Sequence, residues 1–199
     1  MSEKLEKIVL ASGNAGKLEE FANLFKPYGI TVLPQSAFGI PECSEPYSTF
    51  VENALAKARH AAGHSGLPAL ADDSGICAAA LNGAPGIHSA RYAGDHPKSD
   101  TANNLKLAAE LVGKADKSCC YVCVLVFVRH KDDPCPIIAE GVWHGQWNGV
   151  PAGENGFGYD PYFYLPGHGK TAAELDSEVK NRESHRAQAL AELLRKLAL

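Results

Sequence analysis

The stretch Lys7–Lys26, KIVLASGNAGKLEEFANLFK, sets the pattern for the chain. Its first six residues, Lys7–Ser12, are an apolar run of strand length. Gly13–Gly16 is a turn. Lys17–Lys26 then reads as a helix, with Leu18, Phe21, Leu24 and Phe25 recurring at helical spacing and Pro27 stopping it. A strand, a tight glycine turn and a helix in succession form the opening unit of an α/β protein. Outward from it the alternation continues. Ile30–Leu33 reads as a second strand, and a loop rich in Pro, Cys and Ser follows from Pro34 to Ser48. Thr49 and Glu52 make a T-x-x-E capping box that opens a helix with Val51, Leu55, Ala58 and Ala62 on one face, ending near Gly63. Ala69–Ala71 reads as a very short strand, Gly83–Gly94 as a loop and Thr101–Val112 as a helix. Tyr121–His130 and Ile137–Trp147 are two long neighbouring strands, linked by Lys131–Pro136. Tyr162–Leu165 reads as one more strand. A last helix runs from about Ser184 to Leu197, with Leu190, Leu194 and Leu197 aligned. The long adjacent pair predicts a mixed sheet.

A chain of 199 residues fits one domain, or two lobes sharing a core, and buries roughly 70% of its unfolded surface. The net charge of −4 argues against a protein that coats nucleic acid. No run approaches the 18 apolar residues of a membrane span. The opening MSEKLEKIVLAS has acidic residues and too short an apolar run for a signal peptide, so a cytoplasmic protein is expected. Cys120 and Cys123 form a C-x-x-C, but positions three apart on a strand face opposite ways, and there is no second pair. The six cysteines are expected to be reduced thiols.

Four segments carry candidate chemistry. Ser12-Gly13-Asn14-Ala15-Gly16-Lys17 offers backbone N–H groups and a helix N-terminus to an anion. It is not a P-loop, because Leu18 follows Lys17 where that motif needs Ser or Thr. Alone, it has the look of any turn followed by a surface lysine. Leu70-Ala71-Asp72-Asp73-Ser74-Gly75 places two carboxylates after an apolar strand, at the strand end where α/β sites gather. Oxygen ligands of this kind suit Mg²⁺, although Asp also forms turns and caps. GENGFGYD at Gly153–Asp160 flanks Phe157 and Tyr159 with glycines, which exposes aromatic faces to a planar ligand or packs them in the core. Lys180 and Ser184-His185-Arg186 supply donors for a base edge or a phosphate, or a solvated basic face. Asn53 and Lys57, one helical turn apart, face either a site or solvent.

The ordered series SGNAGK, ADDSG, GAPGIHSARYAG, GFGYDPYF, KTAAEL and SHRAQAL resembles the inosine triphosphate pyrophosphatase family, in particular its bacterial dITP/XTP pyrophosphatase branch. The resemblance extends from Lys7 to Leu194. It implies an elongated α/β fold, a mixed sheet with flanking helices and two lobes around a central cleft, in one catalytic domain over residues 1–199. It implies a homodimer, Mg²⁺ dependence, and cleavage of deaminated purine nucleoside triphosphates such as ITP, dITP and XTP to monophosphate and pyrophosphate. Residue by residue, Ser12–Lys17 matches the triphosphate-binding turn. Asp73 matches the catalytic base and metal ligand, with Ser74 on the substrate. Phe157, Gly158, Tyr159, Asp160, Lys180, His185 and Arg186 match nucleotide-binding positions. Glu45 matches a second acidic residue at the metal, with Glu42 as competitor, and the carboxylate that takes the water proton is Asp73, Asp72 or Glu45. Two other functions compete: a pyrophosphatase for modified pyrimidine nucleotides, and a nucleotide-binding regulator without turnover. The Ser-His-Arg and Phe-Gly-Tyr-Asp segments disfavour the first, and the intact carboxylate set the second.

Overall fold

A computed structural model describes residues 5–95 and 97–199. Seven strands form one sheet: β1 (Lys7–Leu10), β2 (Thr31–Pro34), β3 (Ala69–Ala78), β4 (Ser118–Val128), β5 (Ile137–Trp147), β6 (Phe163–Leu165) and β7 (Lys170–Thr171). Their order is β2-β1-β3-β4-β5-β6-β7. β1 runs parallel to β2 and β3, with Ile8 opposite Val32 and Leu10 opposite Leu70. β6 runs antiparallel to β5 and β7, with Trp147 opposite Phe163. The sheet is mixed, as the long neighbouring strands predict. Among the described residues five α-helices flank it: α1 (Ala15–Phe25), α2 (Phe50–Ser65), α3 (Asp100–Leu111), α4 (Ser177–Glu183) and α5 (His185–Leu197). Among the described residues no helix is long and apolar enough to cross a membrane.

The chain divides into two compact units. One comprises the described residues up to Asp73 with Val124–Ala139 and Glu192–Leu199; the other comprises Ser74–Cys123 and Glu140–Ala191. In the first, α1 packs on β2 and α2 on β1, and Ile8, Leu10, Phe21, Phe25 and Leu70 are fully buried. The second has a core of Ile76, Leu107, Leu111, Tyr121, Trp143, Trp147, Tyr159, Phe163 and Leu165.

Several boundaries differ from the sequence reading. Asn14 caps α1 by accepting from the Lys17 N–H, so the helix starts at Ala15, inside the predicted turn. Thr49 does cap helix α2, its side chain accepting from the Glu52 N–H, but the helix passes Gly63 and ends where Gly66 adopts a left-handed φ of 68°. The major correction is β3. It does not stop at Ala71 but continues for ten residues, so Asp72, Asp73, Ser74 and Gly75 lie within the strand. Gly75 makes this possible: a Cβ there would sit 2.3 Å from the Gly86 carbonyl and 2.5 Å from Ser89 Oγ. The predicted loop after it holds a 3₁₀ turn, Gly86–Arg91, that packs on this bare backbone. Helix α4 and strand β7 were not predicted. On α5 the buried positions include Leu193, one residue off the predicted stripe. All six cysteines are free thiols; Cys119 and Cys123 are buried and Cys120 half-buried.

Candidate active site

In the first unit, the turn Ser12–Gly16 leads from β1 into α1. Ser12 Oγ accepts from the Asn14 N–H at 3.2 Å, and Asn14 Oδ1 accepts from the Lys17 N–H at 3.0 Å. Gly13, Asn14, Ala15 and Gly16 stay exposed at the positive end of the helix, where backbone donors and the helix dipole favour an anion. Lys17 is not a solvated lysine: its Nζ is salt-bridged to the buried Asp72.

Because β3 continues through the acidic pair, Asp72 and Asp73 point to opposite faces of the strand. Each meets a lysine from a different helix. Asp72 meets Lys17 of α1, and Asp73 Oδ1 accepts from Lys57 Nζ of α2 at 2.9 Å. Lys57 also reaches Glu45 Oε1 at 2.8 Å. Asn53, one turn earlier on α2, fastens the loop that carries Glu45: it accepts from the Tyr47 N–H at 3.2 Å and donates to the Tyr47 carbonyl at 3.3 Å. Of the two residues whose orientation the sequence left open, Asn53 is therefore a loop anchor and Lys57 faces the acid pair. Glu42 is exposed, and Glu45 is the acidic loop residue that joins Asp73 at Lys57.

Burial raises the Asp73 carboxyl above the ordinary aspartate value. Lys57 opposes the rise, and the charges of Glu45 and Asp72 add to it. For Lys57 burial pulls the other way, but Asp73 and Glu45 outweigh it and hold the ammonium protonated. Two carboxylates around one lysine leave a local charge of −1. Asp73 Oδ2 is buried without a hydrogen-bond partner. An orphaned carboxylate oxygen beside a second carboxylate fits Mg²⁺, which takes one or two protein carboxylates and fills its remaining positions with water and substrate phosphates. Among the described residues no three His, Cys, Asp or Glu side chains gather to hold a metal unaided.

In the second unit, the loop Gly156–Asp160 is built around Asp160, which is 3% exposed. Asp160 Oδ2 accepts from the Phe157 N–H at 2.8 Å and from Lys180 Nζ at 2.5 Å. A Cβ on Gly156 would strike that same oxygen at 2.1 Å. Helix α3 holds the loop from the other side: Asp100 accepts from the Gly158 N–H, and Asn104 donates to the Gly158 carbonyl, both at 2.9 Å. Phe157 is left 65% exposed, with Lys180 Nζ 5.5 Å from its ring centre. Of the two aromatics that the sequence left either displayed or packed, Tyr159 is the packed one. Its ring is buried beside Trp147, and its hydroxyl donates to the Ser89 carbonyl at 2.7 Å. The core takes Tyr159, whose hydroxyl finds a partner there.

His185 and Arg186 open α5. Gly141 of β5 allows this end of the helix to approach, since a Cβ would lie 1.9 Å from the His185 carbonyl. The His185 ring stacks on Tyr121, centroids 4.6 Å apart and planes 8° from parallel. Arg186 reaches Ser74 Oγ at 3.4 Å. The structure thus brings Phe157, Asp160 and Lys180 together, and likewise Ser74 and Arg186. Asp100, Asn104 and Tyr121 escaped the sequence reading. The i, i+4 spacing of Asp100 and Asn104 was an available signal; Tyr121 carries none, being one apolar residue in a strand.

A match to the Ham1 family covers residues 8–196, nearly the whole chain. The chain belongs to the Ham1 family. Among curated Ham1 relatives, it is 94% identical over all of both chains to the dITP/XTP pyrophosphatase of Neisseria meningitidis serogroup A. It is 60% identical to the dITP/XTP pyrophosphatase of Bordetella parapertussis, covering 99% of this chain and 93% of that one. The solved structure of a HAM1 protein from Coxiella burnetii superposes with a TM-score of 0.94 at 48% identity, over 98% of this chain and 99% of that one.

Proposed function

We propose that this Ham1 protein is a dITP/XTP pyrophosphatase, a single catalytic domain spanning residues 1–199 that cleaves deaminated purine nucleoside triphosphates to monophosphate and pyrophosphate. The relatives' names support the substrate class. The observation that carries the chemistry is Lys57 held between Glu45 and Asp73, with Asp73 Oδ2 buried and unbonded. Water attacks the α-phosphorus, the bond from that phosphorus to the bridging oxygen breaks, and pyrophosphate departs. Asp73 is the carboxylate to which we assign the water proton, with Asp72 paired to Lys17 on the other face of β3. Asp73 and Glu45 would hold Mg²⁺, which would supply charge neutralisation for the phosphates. The amides of Ser12–Gly16 and the Lys17 ammonium hold the triphosphate tail, and Ser74 contacts the substrate. Phe157 stacks on the purine, with Gly158, the Tyr159 backbone, Asp160 and Lys180 setting the loop around it. His185 and Arg186 donate to the 6-oxygen of hypoxanthine or xanthine. Adenine presents an amine at that position, so a donor there faces another donor. Sites built on such hydrogen bonds reject a mismatched analogue by roughly 10⁴–10⁵-fold. The enzyme works in the cytoplasm as a homodimer and does not engage nucleic acid or membrane.

Pyrophosphate release measured with ITP, dITP, XTP, GTP, ATP and dUTP, in Mg²⁺ and in excess EDTA, tests this reading. Turnover of ITP, dITP and XTP in Mg²⁺ only, with ATP lower by about 10⁴-fold in kcat/KM, is the expected result. Preference for dUTP overturns the substrate class, nucleotide binding without release overturns catalysis, and full activity in EDTA overturns the metal.

A further inference from the structure

We propose that Tyr121, in the middle of β4, is a positioning residue for base recognition: one buried side chain that fixes both the Phe157–Asp160 loop and the His185 ring. The inference rests on the reading that these groups receive the purine. Tyr121 is 8% exposed and sits among Trp143, Phe163, Leu165 and other apolar side chains. A phenol in such surroundings costs free energy unless its hydroxyl is bonded, and a phenylalanine would fill the space at no such cost. The Asp160 carboxylate stands beside the hydroxyl: burial first, then the charge of Asp160 and its pull on the hydroxyl proton, push the phenol well above its ordinary value.

Asp160 is the side chain on which the loop turns. It takes the Phe157 N–H and the Lys180 ammonium, and the Tyr121 hydroxyl is placed to serve as a third donor to this carboxylate, which is out of contact with water. On its ring face Tyr121 does something separate. The near-parallel stack at 4.6 Å sets the plane of the His185 imidazole, while Phe163 packs against the same phenol at 4.6 Å and 56° and holds it in place. The hydroxyl therefore controls where Phe157 stands, and the ring controls which way His185 presents its nitrogens. A change at Tyr121 alters a stacking face and a donor together, although Tyr121 touches no substrate.

Tyr121→Phe keeps the ring and the stack and removes only the hydroxyl. A hydrogen bond to a charged group lost in this way is worth about tenfold or more in an equilibrium constant. In Tyr121→Phe, KM for ITP should rise about tenfold, kcat should stay within about threefold, and the ITP:ATP ratio of kcat/KM should narrow in step with KM. Tyr121→Leu, which also removes the stack, should narrow the ratio further. Adding Tyr121→Phe to Asp160→Asn should change KM little, because the hydroxyl acts through that carboxylate. A purely structural role would lower Tm and leave KM and the ratio of the folded enzyme at their wild-type values; that result overturns the proposal. A second measurement uses the wild-type protein. NMR of histidine-labelled enzyme should show His185 ring protons shifted upfield by the Tyr121 ring and moving on addition of IMP; resonances at ordinary positions that ignore IMP overturn it as well. If wild-type enzyme shows no preference for ITP over ATP, the functional reading itself fails. If wild type prefers ITP and Tyr121→Phe matches it, only the role of Tyr121 fails.

Discussion

Asp73 carries opposing demands at one residue. Burial, with the charges of Glu45 and Asp72, lifts its carboxyl above the aspartate range despite Lys57. A group whose pKa is raised on folding contributes stability that is complete below its unfolded pKa and is lost as pH climbs through the folded one. At neutral pH the ionised Asp73 therefore weighs against the fold. Asp73→Asn keeps the shape and an acceptor for Lys57 and removes the buried charge. In metal-free buffer at pH 7 the variant should melt at or above the wild-type Tm. The difference should vanish in acid below about pH 4, the ordinary aspartate value. Its kcat should fall at least about 100-fold, the lower end for loss of a general base. A clearly lower Tm would contradict the strained carboxylate, and a kcat within tenfold of wild type would remove Asp73 from the chemistry.

At the scale of elements, what the sequence made legible was the alternation of strands and helices and the types of residue at the site. The capping residues Asn14 and Thr49 place α1 and α2 through local chemistry. The extent of β3 was not legible. Asp-Asp-Ser-Gly is turn-forming in isolation; its place between β1 and β4 and the close approach of Gly86 and Ser89 to Gly75 go with its extended form. The same limit hid the inward turn of Tyr159 and the role of Tyr121, both of which depend on partners distant in sequence. The link between β4 and β5 shows the reverse case, a local turn held by a carboxylate. Asp133 is buried and accepts from the Arg129 N–H at 2.9 Å and the Cys135 N–H at 3.0 Å, and it pairs with the Arg129 guanidinium. Those bonds hold its carboxyl far below the usual range. A depressed pKa gives stability that is present above the unfolded value and lost as pH falls through the folded one. Removing the carboxylate strands the two N–H groups. Asp133→Ala should cost about 1–3 kcal/mol, a Tm lower by about 2–12 °C for a chain of this size. Thermal melts at pH 7 and in acid check this: the gap between variant and wild type should shrink as pH drops below the carboxylate range, and a constant gap would mean that packing is responsible.

For the whole molecule, the decisive quantity is charge. The protein carries a net −4, and its proposed substrate is a polyanion. The two lysines beside the acidic strand are already matched: Lys17 with Asp72, and Lys57 with Glu45 and Asp73. A triphosphate approaching these pairs meets at least as many carboxylates as ammonium groups, so the lysines alone give little net attraction. On the proposed reading, capture would depend on a divalent cation, for which Glu45 and Asp73 would be the ligands. This makes binding, and not only turnover, metal-dependent, a property that thermal shift can read without chemistry. A non-hydrolysable analogue, α,β-methylene-ITP, at 100 times its Kd should stabilise the folded state by about 2.7 kcal/mol. For a chain of this length that is a rise in Tm of about 5–11 °C. The rise should need Mg²⁺ and largely disappear in EDTA. Glu45→Gln should reduce the shift in Mg²⁺, because one of the two carboxylates proposed to hold the cation has lost its charge. An equal shift in EDTA would show that the amides of Ser12–Gly16 and the lysines capture the triphosphate by themselves, and that the pairing of each lysine with a carboxylate does not hinder them.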